Sequence, residues 1–343
     1  MTSRAVAIDP TNERTERYRS AERAVWSHYG LEPTERFVEF ESPAVRLRIQ
    51  EVGSGEPIVF AHGGLWPAVA LAPLVRELAG YRCILLDRPG CGLSSPVDWR
   101  KHELRTVAPK LMGGVVDALG LERTHVIGHS IGGVWALRLA QDHASRVGRI
   151  GILGASPVLA ELPRPGFFRV LASPIGAIIT RLPQNQDRAR SMLRQDGHGP
   201  SLDAGRIPDV FFDWHVALVG NTKTFRNERA MIRDGVVRGG SWRPGLTFDP
   251  AELNAILQPL LYVIGSADPE GTVEYAKHVV AMLPDAELSV LPDGGHMLWL
   301  DDAAYVGNAI RTFLAGSRPA EFRARQASRC PRPPVALARG PER

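Results

Sequence analysis

The sequence predicts an α/β fold, a doubly wound, mostly parallel eight-stranded sheet interrupted by a helical cap insertion. Three observations predict it. From about residue 36, short β-rich runs alternate with longer stretches of helical periodicity. The later β-rich runs are continuously apolar, as strands buried on both faces are. Residues 156–248 then break the alternation with many prolines and scattered apolar clusters, before the pattern resumes. A structureless loop of that length does not suit a compact domain, so the segment reads as helical.

The candidate strands are Arg36–Phe40, Val45–Glu51, Ile58–Ala61, Cys83–Asp87, His125–Gly128, Ile150–Leu153, Leu260–Ile264 and Glu287–Leu291. The first two fit an antiparallel hairpin broken near Ser42–Pro43. The candidate helices are Ala68–Leu78, Glu103–Leu119, Ile131–Asp142, Val273–Met282 and Asp302–Leu314. In Glu103–Leu119 the apolar residues Leu104, Val107, Leu111, Val115 and Leu119 recur at helical spacing. The resulting division is a helical N-terminal extension over 1–35, a core over 36–155 and 249–315, a cap over 156–248 and a basic tail over 316–343. In the extension, Tyr18, Ala21, Ala24, Val25 and Tyr29 form a candidate apolar stripe.

Composition narrows the class. The 343 residues are 44% hydrophobic and 23% charged, ordinary for a globular chain. The net charge of +4 resides in the tail, where residues 317–343 hold seven Arg and two Glu, so the remaining body is near neutral. That distribution argues against a nucleic-acid partner, and the Pro/Arg-rich tail has too little apolar surface to order itself. The N-terminus lacks the apolar core of a signal peptide, and no apolar run reaches the roughly 20 residues of a membrane span. Three cysteines, Cys83, Cys91 and Cys330, match no metal or redox spacing. A cytoplasmic protein with reduced thiols, no metal, no cofactor and no membrane partner is expected, as a monomer or homodimer.

The chemistry lies in loops that follow strands. Gly128-His129-Ser130-Ile131-Gly132 sits between a strand and a helix, the context that makes a G-x-S-x-G pattern specific for a nucleophile turn. Gly128 and Gly132 leave room for crossing backbones, and Gly133 lets the helix approach the sheet. A serine hydroxyl needs a base. His296, in Gly294-Gly295-His296, follows the last strand and is the best candidate. His62, His129, His198 and His215 are worse placed. The base needs an orienting carboxylate, and Asp268 ends the strand-like run LLYVIGSAD. Asp293 is the alternative, read as part of the turn entering the histidine loop. The oxyanion hole needs two convergent N–H groups. Ile131 supplies one, and His62-Gly63-Gly64-Leu65-Trp66 the other, from Gly64 ahead of Leu65. His62 is expected to brace that loop, and Asp87-Arg88-Pro89-Gly90-Cys91 to be architectural. Leu65, Trp66, Phe167 and Phe168 are the expected walls of an apolar substrate pocket.

The HGG, DRPGCGLS, GHSIGG, GSAD and GGH segments, in this order, resemble the α/β-hydrolase superfamily, and more narrowly its capped bacterial esterase-like serine hydrolases. The resemblance spans about residues 36–315. It implies Ser130 as nucleophile, His296 as base, Asp268 as acid, Ile131 and Gly64 as oxyanion donors, and 156–248 as cap. Epoxide hydrolases and haloalkane dehalogenases of this fold use an aspartate where Ser130 stands, and the proline iminopeptidase elbow differs from GHSIG. The expected reaction is hydrolysis of an ester, lactone or thioester of a small hydrophobic acyl substrate through an acyl-enzyme. Two alternatives share the triad: a C–C bond hydrolase of a ring-fission product and a cofactor-free haloperoxidase. The former would need cap cations such as Arg188, Arg190, Arg194, Arg226 and Arg229. A small-molecule-binding protein on the same fold is the non-enzymatic alternative.

Overall fold

The computed structural model describes residues 13–162, 166–238, 241–243 and 245–316, without the side chains of 166–168 and 238. Most of the basic tail expected over 316–343 lies outside the described residues, as do residues 1–12. Eight strands form one sheet: β1 (Thr34–Glu41), β2 (Ala44–Val52), β3 (Glu56–Ala61), β4 (Tyr81–Leu86), β5 (Thr124–His129), β6 (Val147–Leu153), β9 (Leu260–Gly265) and β10 (Ala286–Leu291). Between β6 and β9, β7 (Val237–Arg238) and β8 (Ser241–Trp242) make a separate two-residue ribbon.

The sheet order is β1-β2-β4-β3-β5-β6-β9-β10. The pairs β1/β2 and β2/β4 are antiparallel, and the other five are parallel. All eight expected strands are present. Burial follows position: every residue of β5 and β9 is buried, whereas in edge strand β1 only Phe37 and Val38 are. Apolar layers fill both faces of the sheet, one against the helices Leu104–Ala118 and Ile131–Asp142, the other against Trp299–Leu314. The helices Ile131–Asp142 and Val273–Met282 have the expected bounds.

The N-terminal extension forms the helix Glu13–His28, which packs on the helix Asp209–Asn221. Its inward face differs from the expected stripe. Tyr18, Glu22, Val25 and Trp26 are buried, and Ala24 is exposed. These four positions fall on one face at i, i+4, i+7 and i+8. Glu22 is tolerated inside because the guanidinium of Arg48 on β2 pairs with it, while the Tyr18 hydroxyl donates to it at 2.8 Å.

Between β6 and β9 the described chain is mainly helical, including Gly166–Ala172, Gln186–Leu193, Asp209–Asn221 and Thr224–Met231. Parallel strands place all their C-terminal ends on one edge, so the turns after β3, β5, β6 and β9 meet there. The helical segment passes over the same edge, with Met192, Met231 and Ile232 facing Ser130 and His296 across one cavity.

Candidate active site

The turn after β5 sets the geometry. Ser130 has φ 53° and ψ −124°, a strained conformation for a residue with a Cβ. It is over-determined by its surroundings. Ser130 N–H donates to Leu153 O at 3.0 Å, and Gly133 N–H donates back to Ser130 O at 2.8 Å. A Cβ on Gly128 would lie 2.1 Å from Gly132 O, and one on Gly132 would lie 2.0 Å from Ala61 O. Only glycine fits either position. The turn lifts Ser130 to the cavity at the N-terminus of Ile131–Asp142, where the helix dipole favours negative charge.

His296 reaches the same cavity from the loop after β10. Its Nδ1 is 3.0 and 3.1 Å from the two oxygens of Asp268, three residues beyond β9. Asp268 is further held by the N–H groups of Ala155 (2.8 Å) and Glu270 (2.9 Å). Burial opposes its ionisation, but the His296 charge and these bonds keep its carboxyl below the usual range. For His296, burial of the ring works against protonation. The charges of Asp268 and Glu270 outweigh it and push the imidazole up to about 10. Asp293 stands in an exposed left-handed turn, its N–H donating to Ser266 Oγ, as the turn reading expects. The loop after β6 contributes a backbone donor, Ala155 N–H, where it lacks a carboxylate.

Several residues that hold the histidine loop carry no sequence motif. His198 Nε2 accepts from Met297 N–H at 3.1 Å, and its Nδ1 is 2.9 Å from Asp301 Oδ2. Asp301 also accepts from Gly295 N–H at 2.8 Å. Asp196 accepts the His296 N–H on its backbone oxygen at 2.9 Å, and His129 Nε2 lies 3.1 Å from His296 O. Burial drives His129 well below the usual histidine range, so the ring is neutral and donates to that carbonyl.

The loop after β3 is fixed by Arg88. Its guanidinium donates to His62 O and Gly63 O, and its N–H donates to His62 Nε2 at 2.9 Å. His62 thus braces this loop, and the segment after β4 is architectural. Arg88 also pairs at 3.1 Å with Glu228 from the helix Thr224–Met231, both fully buried. Glu228 accepts from Leu65 N–H at 3.3 Å and Cys91 Sγ at 2.9 Å. Trp66 N–H donates to Gly64 O. With Leu65 N–H committed to Glu228, Gly64 is the better oxyanion candidate in this loop. Burial raises the Cys91 thiol well above its ordinary value, which removes it as a nucleophile.

The cavity encloses about 270 Å³. Ser130, Ile131, His296, Gly64, Leu65 and Trp66 all line it. Trp66 packs its ring at 4.3 Å on His215 and 5.6 Å on Phe211, both from the helical segment. The backbones of Phe167 and Phe168 are helical, and their side chains lie outside the described residues. Of the expected apolar groups the walls include Leu65 and Trp66, with Met192, Met231, Ile232 and Trp242 added. They also include three carboxylates that the motifs did not indicate: Asp196, Glu228 and Glu270.

Residues 58–309 match the Alpha/beta hydrolase family. The chain belongs to that family. This hydrolase is 37% identical to a 2-hydroxy-6-oxononadienedioate/2-hydroxy-6-oxononatrienedioate hydrolase of Paraburkholderia xenovorans, covering 82% of this chain and 96% of that one. It is 24% identical to a 2-hydroxy-6-oxo-6-phenylhexa-2,4-dienoate hydrolase of Burkholderia cepacia, with the same coverage. Among solved structures it is similar to naproxen esterase of Bacillus subtilis, with TM-score 0.70, 20% identity, and coverage of 90% of this chain and 100% of that one. It is also similar to a meta-cleavage product hydrolase of Pseudomonas fluorescens, with TM-score 0.62, 18% identity, and coverage of 80% and 96%. These solved structures share the fold.

Proposed function

We propose that this α/β hydrolase is a serine hydrolase that cleaves carboxylic esters, or related lactones and thioesters, of small hydrophobic acyl substrates. The observation that carries the reading is His296, held through Nδ1 by Asp268, lining one cavity with a Ser130 strained at a helix N-terminus. In the first step Ser130 gives its proton to His296 Nε2 and attacks the acyl carbon. The N–H groups of Ile131 and Gly64 receive the oxyanion. His296 returns the proton to the leaving alkoxide, then deprotonates a water that releases the acid. Asp268 fixes the tautomer and steadies the imidazolium. The helical segment 156–248 acts as a cap that shapes the substrate end of the cavity.

C–C bond hydrolysis is the second reading, favoured by the curated relatives, whose names describe dienoate and dienedioate substrates. Such substrates carry carboxylates and call for a cation in the pocket. No Arg or Lys is among the described residues that line the cavity. Arg190 pairs with Asp209, Arg194 with Asp203, and Arg229 donates to Ser173 O. That charge balance supports the ester reading over the dienoate one. The test is turnover of p-nitrophenyl esters from acetyl to dodecanoyl beside a ring-fission dienoate. Ester turnover that disappears in Ser130→Ala is expected. Faster consumption of the dienoate than of every ester would move the assignment to C–C hydrolysis.

A further inference from the structure

The reaction needs one imidazole nitrogen free to exchange a proton with Ser130. Asp268 occupies Nδ1, so that nitrogen is Nε2. Glu270 Oε2 stands 3.3 Å from it. The placement follows from the chain: Glu270 is two residues beyond Asp268, and its N–H donates to Asp268 Oδ1, which fixes the turn that aims its side chain into the cavity. A carboxylate at this point competes with Ser130 for the base.

Charge balance around Glu270 is one-sided. Of the other wall carboxylates, Glu228 is neutralised by Arg88 at 3.1 Å. Among the described residues that line the cavity, Asp196 and Glu270 face no Arg or Lys, and the cation beside them is His296. His198, packed behind the loop, is engaged by Asp301. Burial, reinforced by the charges of Asp196 and Asp268, raises the Glu270 carboxyl to about 7, despite the opposing effect of His296. Apart from Ser130 and Gln195 the remaining walls are mostly apolar or aromatic, with the indoles of Trp66 and Trp242 among them. Carboxylate and indole together are the surroundings that favour an organic cation.

We propose that Glu270 is a specificity-determining residue that selects substrates bearing a cationic amine close to the scissile bond and rejects anionic ones. A bound ammonium pairs with Glu270, withdraws it from Nε2 and leaves that nitrogen to Ser130. An anionic substrate meets uncompensated negative charge at the same place. The inference rests on the serine-hydrolase reading above.

The test uses three butanoyl esters of matched shape, whose alcohols end in trimethylammonium, tert-butyl or carboxylate. The readout is the kcat/KM ratio of cationic to anionic ester, a quantity independent of the amount of folded protein. Wild type should favour the cation by at least about tenfold, the scale of one charge pair in a partly screened pocket. The ratio should fall towards one in Glu270→Gln and be retained in Glu270→Asp. A wild type that is indifferent or prefers the anion, or a ratio that survives in Glu270→Gln, overturns the inference. Failure of the underlying reading shows separately, as wild-type protein that reacts with no fluorophosphonate probe, and that result overturns both.

Discussion

The turns after β5, β9 and β10 and the helical segment between β6 and β9 build one cavity by opposite means. Each turn takes its shape mainly from backbone groups and glycines. Gly128 and Gly132 admit the crossing backbones around Ser130. Asp268 takes two N–H groups, one from two residues on and one from the loop after β6. The helical segment supplies its groups singly and from a distance: Asp196 against His296, His198 against Asp301, and Glu228 against Arg88. In the proposed mechanism the turns carry the reacting atoms and, through Glu270, the charge selection, and the helical segment carries support. Substitutions in the two regions should fail differently.

The largest effect is expected at the turns. Ser130→Ala or His296→Ala should lower kcat by on the order of 10⁴-fold or more while the protein keeps its fold, as read by ester turnover and circular dichroism. Gly132→Ala places a methyl 2.0 Å from the Ala61 carbonyl oxygen. It should cost about 4 kcal/mol of stability, read by denaturant unfolding, since only a backbone shift relieves the overlap.

Across the divide, Glu228→Ala strands the buried Arg88 and frees the Leu65 N–H. A loss of about 3 kcal/mol is expected by denaturation, with Glu228→Gln less damaging. His198→Ala removes the acceptor of Met297 N–H and the partner of Asp301, so the histidine loop loosens. About a tenfold lower kcat with little change in melting temperature should result. An equal loss from Ser130→Ala and His198→Ala would erase the distinction between the regions.

The smallest effect concerns pH. His296 must be neutral to accept the Ser130 proton, so kcat/KM rises as pH passes through its titration. Burial lowers that titration, and the charges of Asp268, Glu270 and Asp196 raise it by more. Glu270→Gln deletes one of those charges. The acid limb of the profile should therefore move down, by about one pH unit. Movement upward or none would show that Glu270 does not act on the base.

Much of this was legible in the sequence because it is local. A strand, a glycine-flanked serine and a helix identify Ser130, and the order Ser130, Asp268, His296 follows the strand order of the fold. All eight sheet strands were readable, the later ones from continuous apolar runs and the first two as a β-rich hairpin. The carboxylates at the cavity were not. Glu228 and Asp196 reach it through tertiary packing of a segment whose sequence has no periodic motif. Glu270 stood two residues from the expected acid, but its aim at Nε2 depends on the turn that its own N–H makes with Asp268. The stripe in the N-terminal helix misled for a similar reason. Glu22 is inside because Arg48, on a strand remote in sequence, pairs with it.

The central claim is that Ser130 forms a covalent acyl-type adduct. Wild-type protein treated with a fluorophosphonate, digested and analysed by mass spectrometry, tests it most directly. A single phosphonyl adduct on the peptide carrying Ser130, absent in Ser130→Ala and sharply slowed in His296→Ala, is the predicted result. Folded wild type that gains no mass at Ser130, or gains it elsewhere, would contradict the account.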